Sequence, residues 1–139
     1  MPACTAPETV GAAAGALHLP AQRSQLATAR RYAEAAAAAF GLDPERSYEL
    51  VYAVNEAVTN AIRHGAPDAQ GLVHLSVATD ANRLTLVVRD SGTFRRPVAG
   101  ADDDPGHRHG LALMAIFTDE VRLCTRPGCT TVSLSKDRA

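Results

Sequence analysis

Three polar residues, Glu56, Asn60 and His64, recur at intervals of four, and residues so spaced share one side of an α-helix. A carboxamide one turn after a carboxylate suits a metal–phosphate site. The amide oxygen can ligate a small hard cation that keeps its other ligands for phosphate and water. The carboxylate can hold or deprotonate an attacking hydroxyl or water. An ordinary solvated helix face would show the same spacing. His64 also has a structural role open to it, because a cation near a helix C-terminus is stabilised by the helix dipole.

Three further segments could complete such a site. Asp90 ends the apolar run Val87-Val88 and stands two residues before Gly92. Its carboxylate can accept a hydrogen bond from an exocyclic amine such as adenine's, and Gly92 would let a ligand come close to the backbone; a plain Asp-Ser-Gly turn reads the same way. Gly106 to Leu111, with Arg108 and Gly110, leads into a short helical pattern. Glycines and unpaired N–H groups at a helix start suit phosphate, although a loop that merely ends at a helix would look alike. Thr130 and Thr131 follow Gly128 and Cys129, where a hydroxyl could reach a base or a bound water, or serve simply as a strand residue. The run Asp102-Asp103-Asp104 with His107 and His109 offers mixed carboxylate and imidazole ligands, but a solvated acidic lid is the simpler expectation.

These residues need elements to position them. Leu17 and Leu19 alternate with His18 and stop at Pro20, which predicts a short edge strand. Gln22 to Phe40 is alanine-rich and helix-favouring, with Leu26, Ala29, Ala33 and Phe40 as a slim apolar stripe and Gly41 as its C-terminal cap. Asp43 and Pro44 are suited to cap and open a second helix running to about His64, stopped by Gly65 and Pro67. Leu50, Val51, Val54, Val58 and Ile62 commit one face of it to a core. The period then changes to two: Val73, Leu75 and Val77, a turn at Asp80-Ala81-Asn82, then Leu84, Leu86 and Val88. Residues 91–109 lose all periodicity and read as a long loop. A short helix over about 110–118 follows, then a hairpin of Glu120 to Thr125 and Cys129 to Ser135 turned by Arg126-Pro127-Gly128. This order predicts an α+β two-layer sandwich, a mainly antiparallel sheet with helices on one face.

Composition bounds the partners. Of 139 residues 27 are alanine, so the core is modest and a single domain is expected over 16–136, behind a flexible tail at 1–15. With 14 basic and 15 acidic side chains the net charge is -1, which gives no electrostatic footprint for nucleic acid or an anionic membrane. No apolar run is long enough to span a bilayer. Cys4, Cys124 and Cys129 form no CxxC pair; a reduced cytoplasm is expected, with Cys124 and Cys129 as small apolar residues even if they face each other across the hairpin.

Taken in order, the four segments resemble the GHKL ATPase superfamily. The wording Asn55-Glu56-Ala57-Val58-Thr59-Asn60-Ala61-Ile62-Arg63-His64-Gly65 resembles the bacterial anti-sigma-factor serine kinases in particular. The resemblance covers about Leu17 to Lys136 and implies ATP with Mg²⁺. It makes Glu56 the catalytic base and Asn60 the magnesium ligand. Asp90, with Gly92 beside it, would read adenine; Gly110 and Leu111 would end the glycine box that closes over phosphates. Thr130 or Thr131 would lie near the base. Arg108 stands where the box usually has glycine, and can itself clamp a phosphate. The activity implied is transfer of the γ-phosphoryl group to a serine of an antagonist protein. Sequestration of a sigma factor by partner switching would accompany it, and a homodimer is the assembly the resemblance allows. A non-catalytic or weakly catalytic nucleotide-binding regulatory module stays open as the second function class, because of Arg108 and of Thr93-Phe94 after Gly92.

Overall fold

The computed structural model describes residues 15–65, 71–90, 112–126 and 129–138. Strand β1 is Leu17–Pro20. A 3-10 turn, Arg23–Gln25, leads into α1, Leu26–Phe40. Helix α2 is Pro44–Asn60 and continues into a π-helical turn, Ala61–Gly65. Strands β2 (Leu72–Thr79) and β3 (Arg83–Asp90) follow, then a short helix α3 over 112–117, then β4 (Glu120–Arg126) and β5 (Cys129–Asp137). The five strands form one sheet in the order β1-β2-β3-β5-β4, and every neighbouring pair is antiparallel.

Helix limits follow from local chemistry. Gly41 adopts φ 91°, a left-handed cap that costs glycine nothing, and its N–H reaches the carbonyls of Ala37 and Ala38. Asp43 caps α2 by accepting the Arg46 backbone N–H at 2.7 Å, with Pro44 in the first turn. The start of α1 differs from expectation. No side chain caps it, and the chain winds in through the 3-10 turn instead of entering an α-helix at Gln22. The strands outrun the alternating buried apolar residues: β2 begins at Leu72, one residue before Val73, β3 ends at Asp90 and β5 reaches Asp137. Ladder pairing carries the backbone beyond the alternating pattern, as at Pro20, which pairs with Leu72 on the edge.

One set of alternate strand residues makes the core. Val73, Leu75, Val77, Leu84, Leu86, Val88, Val132 and Leu134 join a single buried cluster with Ala29, Ala33, Leu50, Val54 and Val58 of the helices. Both long helices therefore lie on that face, and small α1 residues allow their close approach to α2. The other set of strand residues, His18, His74, Arg89 and Thr131 among them, points to the opposite face. Cys129 is a free, half-buried thiol opposite Arg126, while Cys124 stands opposite Thr131. The two cysteines thus do not face each other. Cys124 is disulfide-bonded, not the plain apolar residue expected. Among the described residues no helix is long and apolar enough to cross a membrane. Of the expected tail only Gly15 is described, and its carbonyl accepts the Tyr32 hydroxyl at 2.9 Å.

Candidate functional site

Glu56 and Asn60 lie one turn apart on α2, and both are half-buried. Asn60 is the last α-helical residue, and the hydrogen-bond ladder widens into the π turn directly after it. Such widened turns recur at functional positions. Asn60 Nδ2 is buried and has no hydrogen-bond partner. A buried amide donor left unpaired costs about 1–3 kcal/mol. Asn55, by contrast, receives Arg30 Nη1 on its Oδ1 at 2.9 Å.

Asp90 closes β3 with 4% of its surface exposed, and its cross-strand partners are Val73 on β2 and Thr130 on β5. It follows Val88 by two residues and so faces the helices; Thr130 precedes Val132 by two and faces the same way. Thr130 is also 4% exposed. The ladder thus sets a carboxylate beside a hydroxyl at one end of the sheet, under α2 and the π turn, which both contact β3. Thr131 pairs with Arg89 and Cys124 and points to the opposite face. Of the two threonines, Thr130 shares a side with Asp90 and Thr131 does not. Gly92, Arg108, Gly110 and Leu111 lie outside the described residues, as do the acidic run 102–104, His107 and His109.

The donor set suits a nucleotide with a hard cation. A buried carboxylate can accept a hydrogen bond from an amine, and the Asn60 amide can give its oxygen to an ion or its N–H to a phosphate. Among the described residues no three His, Cys, Asp or Glu side chains converge as a metal site. A cation here would depend on amide and ligand oxygens. A separate cavity of about 540 Å³, lined by Asp80, Asn82, Arg83, Asp137 and Arg138, opens at the far end of β3. Two of its charges pair with each other: Arg83 Nε meets Asp137 Oδ1 at 2.6 Å, and Arg83 Nη1 also meets Glu120 Oε1 at 2.7 Å. That cluster ties the starts of β3 and β4 to the end of β5.

Two features had no reading in the sequence. Lys136 is 7% exposed although it is the penultimate residue of β5, near the C-terminus. It lies two residues after Leu134 on the core-facing side, a parity that could have flagged it. His18 and His74 are cross-strand partners on the opposite face, hydrogen-bonded through their Nδ1 atoms with rings 4.6 Å apart. Desolvation, then the nearby His18 and Arg89, hold the His74 pKa below its ordinary value. The folded state therefore binds a proton there less readily than the unfolded chain, so this site favours folding above about pH 6.5 and loses that contribution as pH falls below it. Thermal unfolding followed from pH 7.5 to 5 should show a decline in Tm, with a shallower decline in His74→Gln. Equal slopes would remove His74 as the cause.

The histidine kinase-like ATPase domain family matches residues 19–136. The chain is 33% identical over 129 residues to the anti-sigma F factor of Bacillus cereus strain G9842, covering 83% of this chain and 88% of that protein. The anti-sigma F factor of Bacillus mycoides strain KBAB4 is similar to the same extent. Among solved structures, the RsbU and RsbW domains of a Mycobacterium tuberculosis protein superpose with a TM-score of 0.68 at 25% identity. That likeness covers 90% of this chain and only 33% of the other. The histidine kinase domain of a blue-light activated kinase from Erythrobacter litoralis shares the fold, with a TM-score of 0.51 at 21% identity over 86% of this chain and 61% of that one. With its helix-backed antiparallel sheet and a match across most of its length, the chain belongs to the histidine kinase-like ATPase domain family.

Proposed function

We propose that this protein is an anti-sigma-factor-type regulator that binds ATP with Mg²⁺ and phosphorylates a serine of an antagonist protein, so that a sigma factor is held or released by partner switching. Glu56 orients the seryl hydroxyl and takes its proton as the oxygen–phosphorus bond forms and the bond to the departing ADP oxygen breaks. Asn60 gives its amide oxygen to the cation, which neutralises phosphate charge when bound. Asp90 accepts from the adenine amine, with the Thr130 hydroxyl beside it. Arg108, Gly110 and Leu111 are left to contact the phosphates, and Gly92 to admit the base. Such a regulator works in the cytoplasm through protein partners, not through nucleic acid or a membrane, and as a homodimer.

The observation that carries this reading is the buried, unpartnered Asn60 amide one turn after Glu56. Calorimetric titration with Mg·ATP tests it. The parent chain should bind, and Asp90→Asn should bind roughly 10- to 100-fold more weakly, because a buried acceptor of a charge-assisted bond gives way to a group that can present a donor. Identical curves would remove Asp90 from base recognition. Binding without phosphoryl transfer to a cognate antagonist would select the non-catalytic regulatory module instead.

A further inference from the structure

Lys136 holds two elements at once. Its Nζ lies 2.8 Å from Glu49 Oε1 on α2 and donates to the Phe117 carbonyl, at the end of α3, at 2.9 Å. Its side chain is 9% exposed and that of Glu49 28%. Other contacts meet at the same joint. The Tyr52 and Phe117 rings are 5.0 Å apart, the Asp119 N–H donates to the Ser135 carbonyl at 2.8 Å, and the Asp137 N–H donates to Asp119 Oδ2 at 2.7 Å. Met114 of α3 is fully buried. Glu49 precedes Glu56 by seven residues and Asn60 by eleven, two and three helical turns, so all three lie on one stripe of α2.

A buried ion pair adds little net stability, since desolvation of both charges offsets their attraction, and an apolar pair of similar size would serve a core as well. An ammonium has something an apolar pair lacks: directed donors, here shared between a carboxylate on one helix and a carbonyl on another. We propose that Lys136 is a positioning residue. By joining Glu49 to the Phe117 carbonyl it fixes α3 against the stripe of α2 that carries Glu56 and Asn60, and so sets the affinity for nucleotide. This rests on the nucleotide reading above.

The test separates positioning from bulk stability. Lys136→Met strands Glu49 beside an apolar chain and should lower Tm; adding Glu49→Leu should recover most of that loss. The double variant should still bind Mg·ATP roughly three- to thirtyfold more weakly than the parent, the range expected where a residue modulates a site it does not touch. Its 112–118 amides should also exchange hydrogen faster. Glu49→Gln keeps both acceptors for Lys136 and should bind like the parent. A double variant with recovered Tm, parent-like affinity and parent-like exchange would overturn the proposal and leave a purely structural ion pair. Failure of the parent itself to bind Mg·ATP would sink the nucleotide reading and the affinity claim with it, while the exchange data would still decide whether Lys136 holds α3.

Discussion

Replacing Glu56 by glutamine is expected to slow phosphoryl transfer to an antagonist's serine by about 10²- to 10⁴-fold while Mg·ATP still binds. A positioned base contributes about that factor, equivalent to roughly 3–5 kcal/mol of barrier. Glutamine keeps the shape and loses the proton acceptor, so the side chain can orient a hydroxyl but not deprotonate it. The loss should fall on the transfer step and not on nucleotide affinity, because a group that acts only as the proton moves leaves the ground state alone. Single-turnover transfer from radiolabelled ATP, read beside calorimetry on the same sample, measures the two separately. Transfer at the parent rate would take the base role from Glu56. An equal fall in affinity would make it a binding residue instead.

Much of the scaffold under that residue is legible from local chemistry. Asp43, Pro44 and Gly41 sit where a cap, a helix start and a left-handed stop require those residue types, so α2 and the end of α1 are readable from the sequence. The period-two runs at Val73 and Leu84 likewise specify both a hairpin and its buried face. Long-range pairing is not written locally. That β5 lies between β3 and β4 depends on which strand edges meet, and only that choice sets Thr130 beside Asp90. Val132 and Leu134 have the parity to separate Thr130 from Thr131, but only once their face is known to meet the helices. The Glu49–Lys136 pair joins residues far apart in sequence, and a lysine in a polar C-terminal stretch reads as solvated until its strand is placed. His18 and His74 are silent for the same reason: each is one polar member of an alternating run until the register brings them face to face. The π turn has no composition signal at all, since Ala61 and Ile62 continue the helical pattern across it.

Asn60→Ala is expected to leave the free protein as stable as the parent or more so, and to weaken Mg·ATP binding upwards of roughly 100-fold. The stability half rests on the amide nitrogen and the binding half on the amide oxygen. In the free protein the Asn60 Nδ2 is buried without a partner, a state that costs about 1–3 kcal/mol, and alanine is also the better helix former. A small loss of packing works against these gains. A group kept at a cost to folding is the signature of a site whose partner comes from outside the chain. Removing a direct ligand should cost at least what removing an outer-shell partner does, which is about 10- to 100-fold in metal affinity. The dependence on magnesium should go with it, so that titrations with and without the ion converge in the variant and differ in the parent. Urea unfolding and calorimetry on the same two proteins give both readings. A variant that is markedly less stable yet binds Mg·ATP like the parent would show the amide to be a packing group, and the cation would then have to be held by other oxygens.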